Sequence, residues 1–212
     1  MIHKPNSLDE CEVQGLKMTI LGTQGSGKTE GAKYLVRNKF KSPFVITPHK
    51  RDWENENCYL YITNYDTNID DVFKQCIRLA NEGKIDGIVV DEADMLFKNN
   101  HDMQKGAVDL FANHRHYPEG RGVSLVFISR RPQDLPTIFV ESCAFLVVYK
   151  LEGDNVRKKM NSIRSDWGDK IVSDDFKYKS YEYYLKVIGE EPVLCSAITL
   201  NKATDKKAVE QI

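Results

Sequence analysis

The stretch Gly22–Thr29 reads Gly-Thr-Gln-Gly-Ser-Gly-Lys-Thr, and no other segment restricts the fold of this chain as tightly. It has the G-x-x-x-x-G-K-[ST] spacing of a loop that wraps a polyphosphate. Backbone N–H groups can surround phosphate oxygens only where the chain bends sharply and comes close. Gly22, Gly25 and Gly27 have no Cβ to block that approach or the positive φ angles it needs. Lys28 brings a point charge to where β- and γ-phosphates would lie. The Thr29 hydroxyl can ligate Mg²⁺, which needs few protein ligands when phosphates and water supply the rest. The flanks agree. Met18–Leu21 predicts a short apolar strand entering the loop, and Glu30–Lys39 a helix leaving it, with Ala32, Leu35 and Val36 on one face. The N-terminus of that helix adds partial positive charge at the phosphates. The expected nucleotide-binding set is Gly22, Thr23, Gln24, Gly25, Ser26, Gly27, Lys28, Thr29 and Glu30, with ATP and Mg²⁺ as cofactors.

A second strand end carries the next signal. Ile85–Val90 predicts a buried strand that runs straight into Asp91-Glu-Ala-Asp94. After a phosphate-binding loop, apolar residues followed by Asp-Glu match the Walker B pattern. Asp91 would hold Mg²⁺ through its water shell together with Thr29. Glu92 would act as general base on the attacking water. Asp94 is expected as a supporting or capping group.

The totals leave this assignment open and close others. With 212 residues, one domain is the simplest organisation, a nucleotide-binding core over about 17–150 with an extension over 151–212. Net charge is −1, so a basic field over the whole protein is absent, although a local stripe or the inside of a ring can still be basic. The five cysteines are scattered without a C-x-x-C pair, which argues against a zinc site or disulfide framework and favours a reducing, intracellular setting. Met1–Gln14 has charges and no apolar core, unlike a signal peptide, and no apolar run approaches the roughly 18 residues that span a membrane. No membrane insertion is expected.

Along the rest of the chain, residues 1–16 read as a polar loop or edge piece. Phe44–Thr47 and Tyr59–Ile62 predict strands. Pro48–Trp53 reads as a polar loop with one aromatic, in which Arg51 could meet nucleotide or DNA. Asp66–Glu82 has helical spacing of Val72, Phe73, Cys76, Ile77 and Ala80, and Gly83 is a C-cap signal. Asn99–His114 predicts a polar turn and then a helix. Asn113–Gly122 is a basic and aromatic loop whose His114 and His116 look like a metal pair but have no third ligand. Val123–Ile128 predicts a strand ending in Ser129-Arg-Arg-Pro132. Gln133–Val140 is a turn or short helix, Ala144–Tyr149 a strand and Asp154–Arg164 a charged helix. Tyr178–Ile188 alternates Tyr181, Tyr183, Leu185 and Val187, then turns at Gly189–Pro192 and returns over Val193–Leu200, a hairpin signal.

The two strand-end motifs, followed by a strand ending in Ser129-Arg-Arg-Pro132 with Gln133-Asp-Leu-Pro136 behind it, resemble the HerA/FtsK superfamily of DNA-pumping ATPases. With no appended module, the chain looks most like the genome-packaging ATPases of membrane-containing icosahedral viruses, those of archaeal turreted icosahedral viruses in particular. The resemblance covers roughly residues 17–150. It implies a polar sensor at the end of that strand and an arginine finger shortly before it. The usual glutamine of a Q-R-P signature is Arg130 here, so the sensor is Ser129 or Arg130. The finger is Arg115 or Arg121. It further implies a homo-oligomeric ring, double-stranded DNA and a capsid or packaging vertex as partners, and work in the host cytoplasm during virus assembly.

Alternating strands and helices predict an α/β three-layer sandwich, a RecA-like P-loop NTPase with a mainly parallel central sheet and a C-terminal antiparallel hairpin. The expected activity is ATP hydrolysis that drives double-stranded DNA into a preformed capsid. A guanine-nucleotide switch is the first rival: Asn201–Asp205 looks like N-K-x-D, but Thr204 stands in the Asp place and no D-x-x-G follows the second motif. A small kinase would need a lid, and no Arg-rich insertion provides one. The third rival is a non-motor ATPase of virion assembly or filament extrusion, like the toxin-like relatives within the same superfamily.

Overall fold

The apolar runs become the strands of one sheet. The computed structural model describes residues 5–64, 67–97, 105–118, 120–176 and 180–198. In chain order the strands are β1 (Lys17–Leu21), β2 (Pro43–Thr47), β3 (Tyr59–Ile62), β4 (Gly87–Val90), β5 (Ser124–Ser129), β6 (Phe145–Val148), β7 (Tyr183–Val187) and β8 (Val193–Cys195). They lie side by side in the order β3-β2-β4-β5-β1-β6-β7-β8. Every pairing from β3 to β6 is parallel, and β7 and β8 extend the sheet antiparallel. The helices are α1 (Lys28–Asn38), α2 (Lys50–Trp53), α3 (Ile69–Asn81), α4 (Ala93–Leu96), α5 (Lys105–Asn113), α6 (Thr137–Glu141), α7 (Asp154–Ile163) and α8 (Trp167–Val172).

The central strands are apolar throughout because both their faces are covered. Met18 and Ile20 of β1, Val89 of β4 and Val126 and Ile128 of β5 pack with Ala32 and Leu35 of α1, with Trp53 and with the N-terminal segment. Leu21, Ile88, Val90, Leu125 and Phe127 face the other way, onto α3, α5, α6, α7 and α8. Phe127 and Phe139 stack there at 4.3 Å between ring centroids. The result is the expected three-layer sandwich with its antiparallel C-terminal hairpin.

Several local expectations change. Residues 5–16 are less polar in effect than in composition: Leu8, Cys11 and Val13 are buried, and the Leu8 N–H donates to the Tyr183 hydroxyl oxygen at 2.9 Å. Three apolar side chains without periodicity sealed one end of the core, which no spacing rule detects. Pro48–Trp53 is not simply a polar loop; it forms the turn α2 and inserts a fully buried Trp53. The charged helix α7 is followed by α8, whose Trp167 and Ile171 fill the core one turn apart. Tyr181 leaves the β7 ladder, because its φ of 55° is left-handed. Asp66, the turn at 99–104, Tyr178, the end of the returning strand at 199–200 and the Asn201–Asp205 segment lie outside the described residues.

Candidate active site

In the parallel part of the sheet all strands end at one edge, and the order places β1 between β5 and β6, with β4 next to β5. The segments after β1, β4 and β5 therefore meet, as ligand sites do outside the carboxyl ends of open α/β sheets. The loop leaving β1 is tied to both neighbours. Gly22 N–H donates to the Ser129 carbonyl at 3.1 Å, and Thr23 N–H to the Lys150 carbonyl at 3.0 Å. The Thr23 hydroxyl donates to the same Lys150 oxygen at 3.1 Å.

Gly25 and Gly27 have φ of 76° and 101°, as a loop that turns its amides inward requires. Gly22 serves close packing instead, since a Cβ there would fall 2.3 Å from Ser26 Oγ. That Ser26 hydroxyl is buried and has no hydrogen-bond partner among the described residues. A polar atom left so is costly, and it marks where a ligand oxygen belongs. Helix α1 opens at Lys28 with Gly27 as cap and no capping side chain, so its first N–H groups are left for an anion. A cleft of about 460 Å³ runs from Gly25, Lys28 and Thr29 past Tyr149 to Tyr181 and Ile198. Glu30 lies in its wall and is ion-paired with Lys33 at 2.9 Å, while Gln24 stands at the exposed tip of the loop.

At the end of β4 the carboxylates are fixed from several sides. Asp91 Oδ2 accepts the Thr47 hydroxyl at 3.0 Å and the Trp53 indole N–H at 2.9 Å, and Oδ1 accepts the Glu92 N–H at 3.0 Å. Burial pushes the Asp91 carboxyl up, and the Trp53 hydrogen bond opposes that push. Glu92 sits at φ 50° and ψ 46°, a left-handed conformation unfavourable for a residue with a Cβ, held by its surroundings at the head of α4. Its Oε1 accepts Arg130 Nε and Nη2 at 3.2 and 3.0 Å, and Lys28 Nζ stands 3.9 Å from the same oxygen. Arg130 Nε also lies 2.9 Å from Oε2, a charge contact that lacks the alignment of a hydrogen bond. These bonds to Glu92 hold the Arg130 guanidinium protonated even more firmly than usual.

Of the two sensor candidates, Arg130 is the one that reaches Glu92. Ser129 is fully buried and closes its own turn, where its hydroxyl donates to the Arg131 carbonyl and accepts the Arg131 N–H, both at 3.1 Å. Asp94 is half-buried at the head of α4, and burial raises its carboxyl.

The two finger candidates are elsewhere. Arg115 lies in the turn after α5, and Arg121 in the loop that leads to β5. The His114 carbonyl accepts Val123 N–H at 2.8 Å, and Gly122, at φ 75°, leaves no room for a Cβ, which would stand 2.7 Å from Gly15 Cα. Gly15 and Val123 precede β1 and β5. Both arginines are thus exposed at the amino edge of the sheet, a strand length of roughly 16 Å from the phosphate loop of their own chain. His114 Nδ1 lies 3.0 Å from the Val123 carbonyl, so that nitrogen carries the proton and the buried ring ties the loop down.

The model of the ATPase family associated with various cellular activities (AAA) matches residues 18–150, more than half of the chain. The chain belongs to that family. No curated protein sequence matches this AAA ATPase. Among solved structures, the genome packaging NTPase of Sulfolobus turreted icosahedral virus 2, in complex with ATP-gammaS, superposes with a TM-score of 0.66 at 16% identity over 87% of this chain and 98% of that one. ATPases 2 and 3 of EssC from Geobacillus thermodenitrificans give 0.62 at 9% identity, over 91% of this chain and 41% of theirs. The N-terminal domain of zonular occludens toxin from Neisseria meningitidis gives 0.53 at 16% identity, over 88% of this chain and 95% of that one. At these identities the likeness is one of fold, and the HerA/FtsK resemblance of the strand-end motifs fits it.

A divalent cation suits the donors present in this AAA ATPase. Thr29 offers a hydroxyl beside the lysine of the loop. Asp91 has both acceptor positions of Oδ2 filled and one of Oδ1 filled, which leaves one for a metal-bound water. Among the described residues, no group of three or more His, Cys, Asp or Glu gathers as a metal cage, and Mg²⁺ on a nucleotide does not need one. The five cysteines are free and buried. No helix among the described residues is long and apolar enough to cross a membrane.

The Trp53–Asp91 and Arg130–Glu92 contacts were not legible as site features. A lone tryptophan in a polar run was the available signal for the first, since so large an apolar side chain is seldom left in water. The departure from glutamine at Arg130 was the signal for the second.

Proposed function

We propose that this AAA ATPase is an ATP-driven motor that moves double-stranded DNA into a preformed capsid as a homo-oligomeric ring. The observation that carries the hydrolytic part is the buried meeting of Lys28 with Glu92, 3.9 Å apart, at the mouth of the phosphate loop. The loop amides and Lys28 would bind the phosphates, and Tyr181 and Ile198 offer the base an apolar wall at the far end of the cleft. Thr29 and, through water, Asp91 would hold Mg²⁺, whose chemistry there is to neutralise developing charge on the phosphates. Glu92 would take a proton from the attacking water. For that its carboxylate must exchange part of its pairing with Arg130, and a γ-phosphate beside both cations supplies the competing negative charge. Arg115 or Arg121 would complete a neighbouring subunit's site, since their distance from their own phosphate loop prevents action in cis. The packaging role is supported by the fold shared with a viral genome packaging NTPase. A packaging motor of this kind would work in the host cytoplasm during assembly, at the packaging vertex of the capsid.

The fold is also shared with a toxin domain and with EssC, which favours one second reading, a non-motor ATPase of virion assembly or filament extrusion. One experiment separates them: ATPase rate with and without double-stranded DNA, with the oligomeric state measured alongside. A motor is stimulated by DNA and forms a ring on it. An unchanged rate at all DNA lengths rejects the motor.

A further inference from the structure

Trp53 is fully buried, and its indole N–H, a group that can only donate, is aimed at Asp91 Oδ2 at 2.9 Å. The partner oxygen is also the target of Thr47, whose hydroxyl accepts the His49 N–H at 3.0 Å and therefore has its own proton free for Asp91, 3.0 Å away. The Asp91 N–H is itself bonded to the Ile46 carbonyl at 2.8 Å. The end of β2 and the turn α2 thus form a bracket around one carboxylate of β4, which is possible because the sheet order makes β2 and β4 neighbours. Packing alone does not ask for this. The second tryptophan of the chain, Trp167, is as deeply buried, and its Nε1 has no hydrogen-bond partner among the described residues. The fold therefore buries an indole without giving its N–H an acceptor.

We infer that Trp53 is a positioning residue of the metal–nucleotide site: with Thr47 it fills both acceptor positions of Asp91 Oδ2 and so commits the remaining position, on Oδ1, to a metal-bound water. The inference rests on the reading of Asp91 as the residue that holds Mg²⁺ through water. A carboxylate free to rotate could present either oxygen, or could bind the metal directly. The bracket removes those choices before the nucleotide arrives. Because the indole touches the carboxylate, Trp53 also reports the state of the site by its fluorescence.

The test uses the full chain and ATP-gammaS as probe, with binding measured by calorimetry in EDTA and across a Mg²⁺ titration. Trp53→Phe keeps an aromatic ring and removes the N–H. It is expected to raise the Mg²⁺ concentration for half-maximal binding by about ten- to hundredfold, the scale of one hydrogen bond to a charged group, with affinity in EDTA unchanged. Thr47→Val should do the same. Equal affinity losses with and without Mg²⁺, or a lowered melting temperature with an unshifted Mg²⁺ midpoint, would show a merely structural role and overturn the inference. Asp91→Ala separates the two levels of the argument. If it leaves the Mg²⁺ midpoint in place, the metal assignment itself has failed; if it moves the midpoint while Trp53→Phe and Thr47→Val do not, only the bracket has failed. The two-tryptophan composition gives a readout that does not depend on the folding of Trp53→Phe. In Trp167→Phe, emission comes from Trp53 alone and should change on adding ATP-gammaS with Mg²⁺ but not with EDTA. Emission that ignores Mg²⁺ overturns the inference.

Discussion

The two edges of the parallel sheet handle charge in opposite ways. At the carboxyl edge Lys28, Asp91 and Glu92 are 6%, 2% and 4% exposed, and each has partners from its own chain. At the amino edge Arg115 and Arg121 stand in water, and the buried member there is a histidine kept neutral. Burying a charge is costly unless other groups of the same chain compensate it, so the carboxyl edge is a site assembled in cis, strained at Glu92 and waiting for a ligand. An exposed arginine needs no such support and is free to meet the charge of another molecule. Under the proposed function, chemistry is prepared at one edge and arginines are displayed at the other, as a ring would need for one subunit's arginine to serve the next subunit's site.

The largest effect tests that division. In mixed rings, Glu92→Gln subunits, which keep the arginines, and Arg115→Ala subunits, which keep the base, should regain hydrolysis that each variant alone lacks. A finger in trans is worth about 10³–10⁵ in rate. If mixing adds nothing while mixed rings demonstrably form, Arg115 is not the finger, and Arg121→Ala takes its place in the same assay.

Next in size are the carboxyl-edge variants by themselves. Glu92→Gln should lower turnover by about 10²–10⁴ while nucleotide binding persists, as for loss of a general base. Lys28→Ala should lose nucleotide affinity itself. Normal turnover by Glu92→Gln would leave the carboxyl edge a binding site without chemistry.

A smaller change is expected for Arg130→Gln, which restores the residue usual in the HerA/FtsK pattern. Glutamine can still donate one N–H to Glu92, so turnover should stay within about tenfold, the net scale of one ordinary hydrogen bond. A loss as large as that of Glu92→Gln would show that the cation itself is needed.

The smallest effect belongs to the amino edge and appears in stability. Burial holds His114 down to about 4, against 6.5 in a solvated chain. As pH falls below 6.5 the unfolded chain takes up this proton and the folded one does not. The contribution of His114 is therefore complete above pH 6.5 and lost as pH falls towards about 4. Asp91 and Asp94, raised by burial, act in the opposite sense. Melting temperature followed from pH 8 to pH 4.5 on wild type and His114→Asn isolates the histidine, and the variant should show the shallower decline on acidification. Parallel curves would mean that the amino-edge loop is not tied down through a neutral ring.

How much was legible in the sequence follows the range of the interactions. Gly22–Thr29 and Asp91-Glu92 could be read because each motif is local: the turn, its helix and its strand sit within a few residues of one another. The central strands could be read because burial on both faces removes polar residues from the run. Glu92 and Arg130 stand 38 positions apart, as do Trp53 and Asp91, and their contacts arise only because β4 lies between β2 and β5. The left-handed turn that takes Tyr181 out of its strand, toward the cleft, left no mark in the alternation of Tyr181, Tyr183 and Leu185. By itself the sequence determined an α/β sandwich of the P-loop type and singled out a candidate phosphate loop and acidic pair, because backbone geometry and burial act on neighbouring residues. Only the tertiary structure decided which partners hold those acids and at which edge the arginines stand. Strand order is set by packing across the whole sheet, and no single stretch of chain records it.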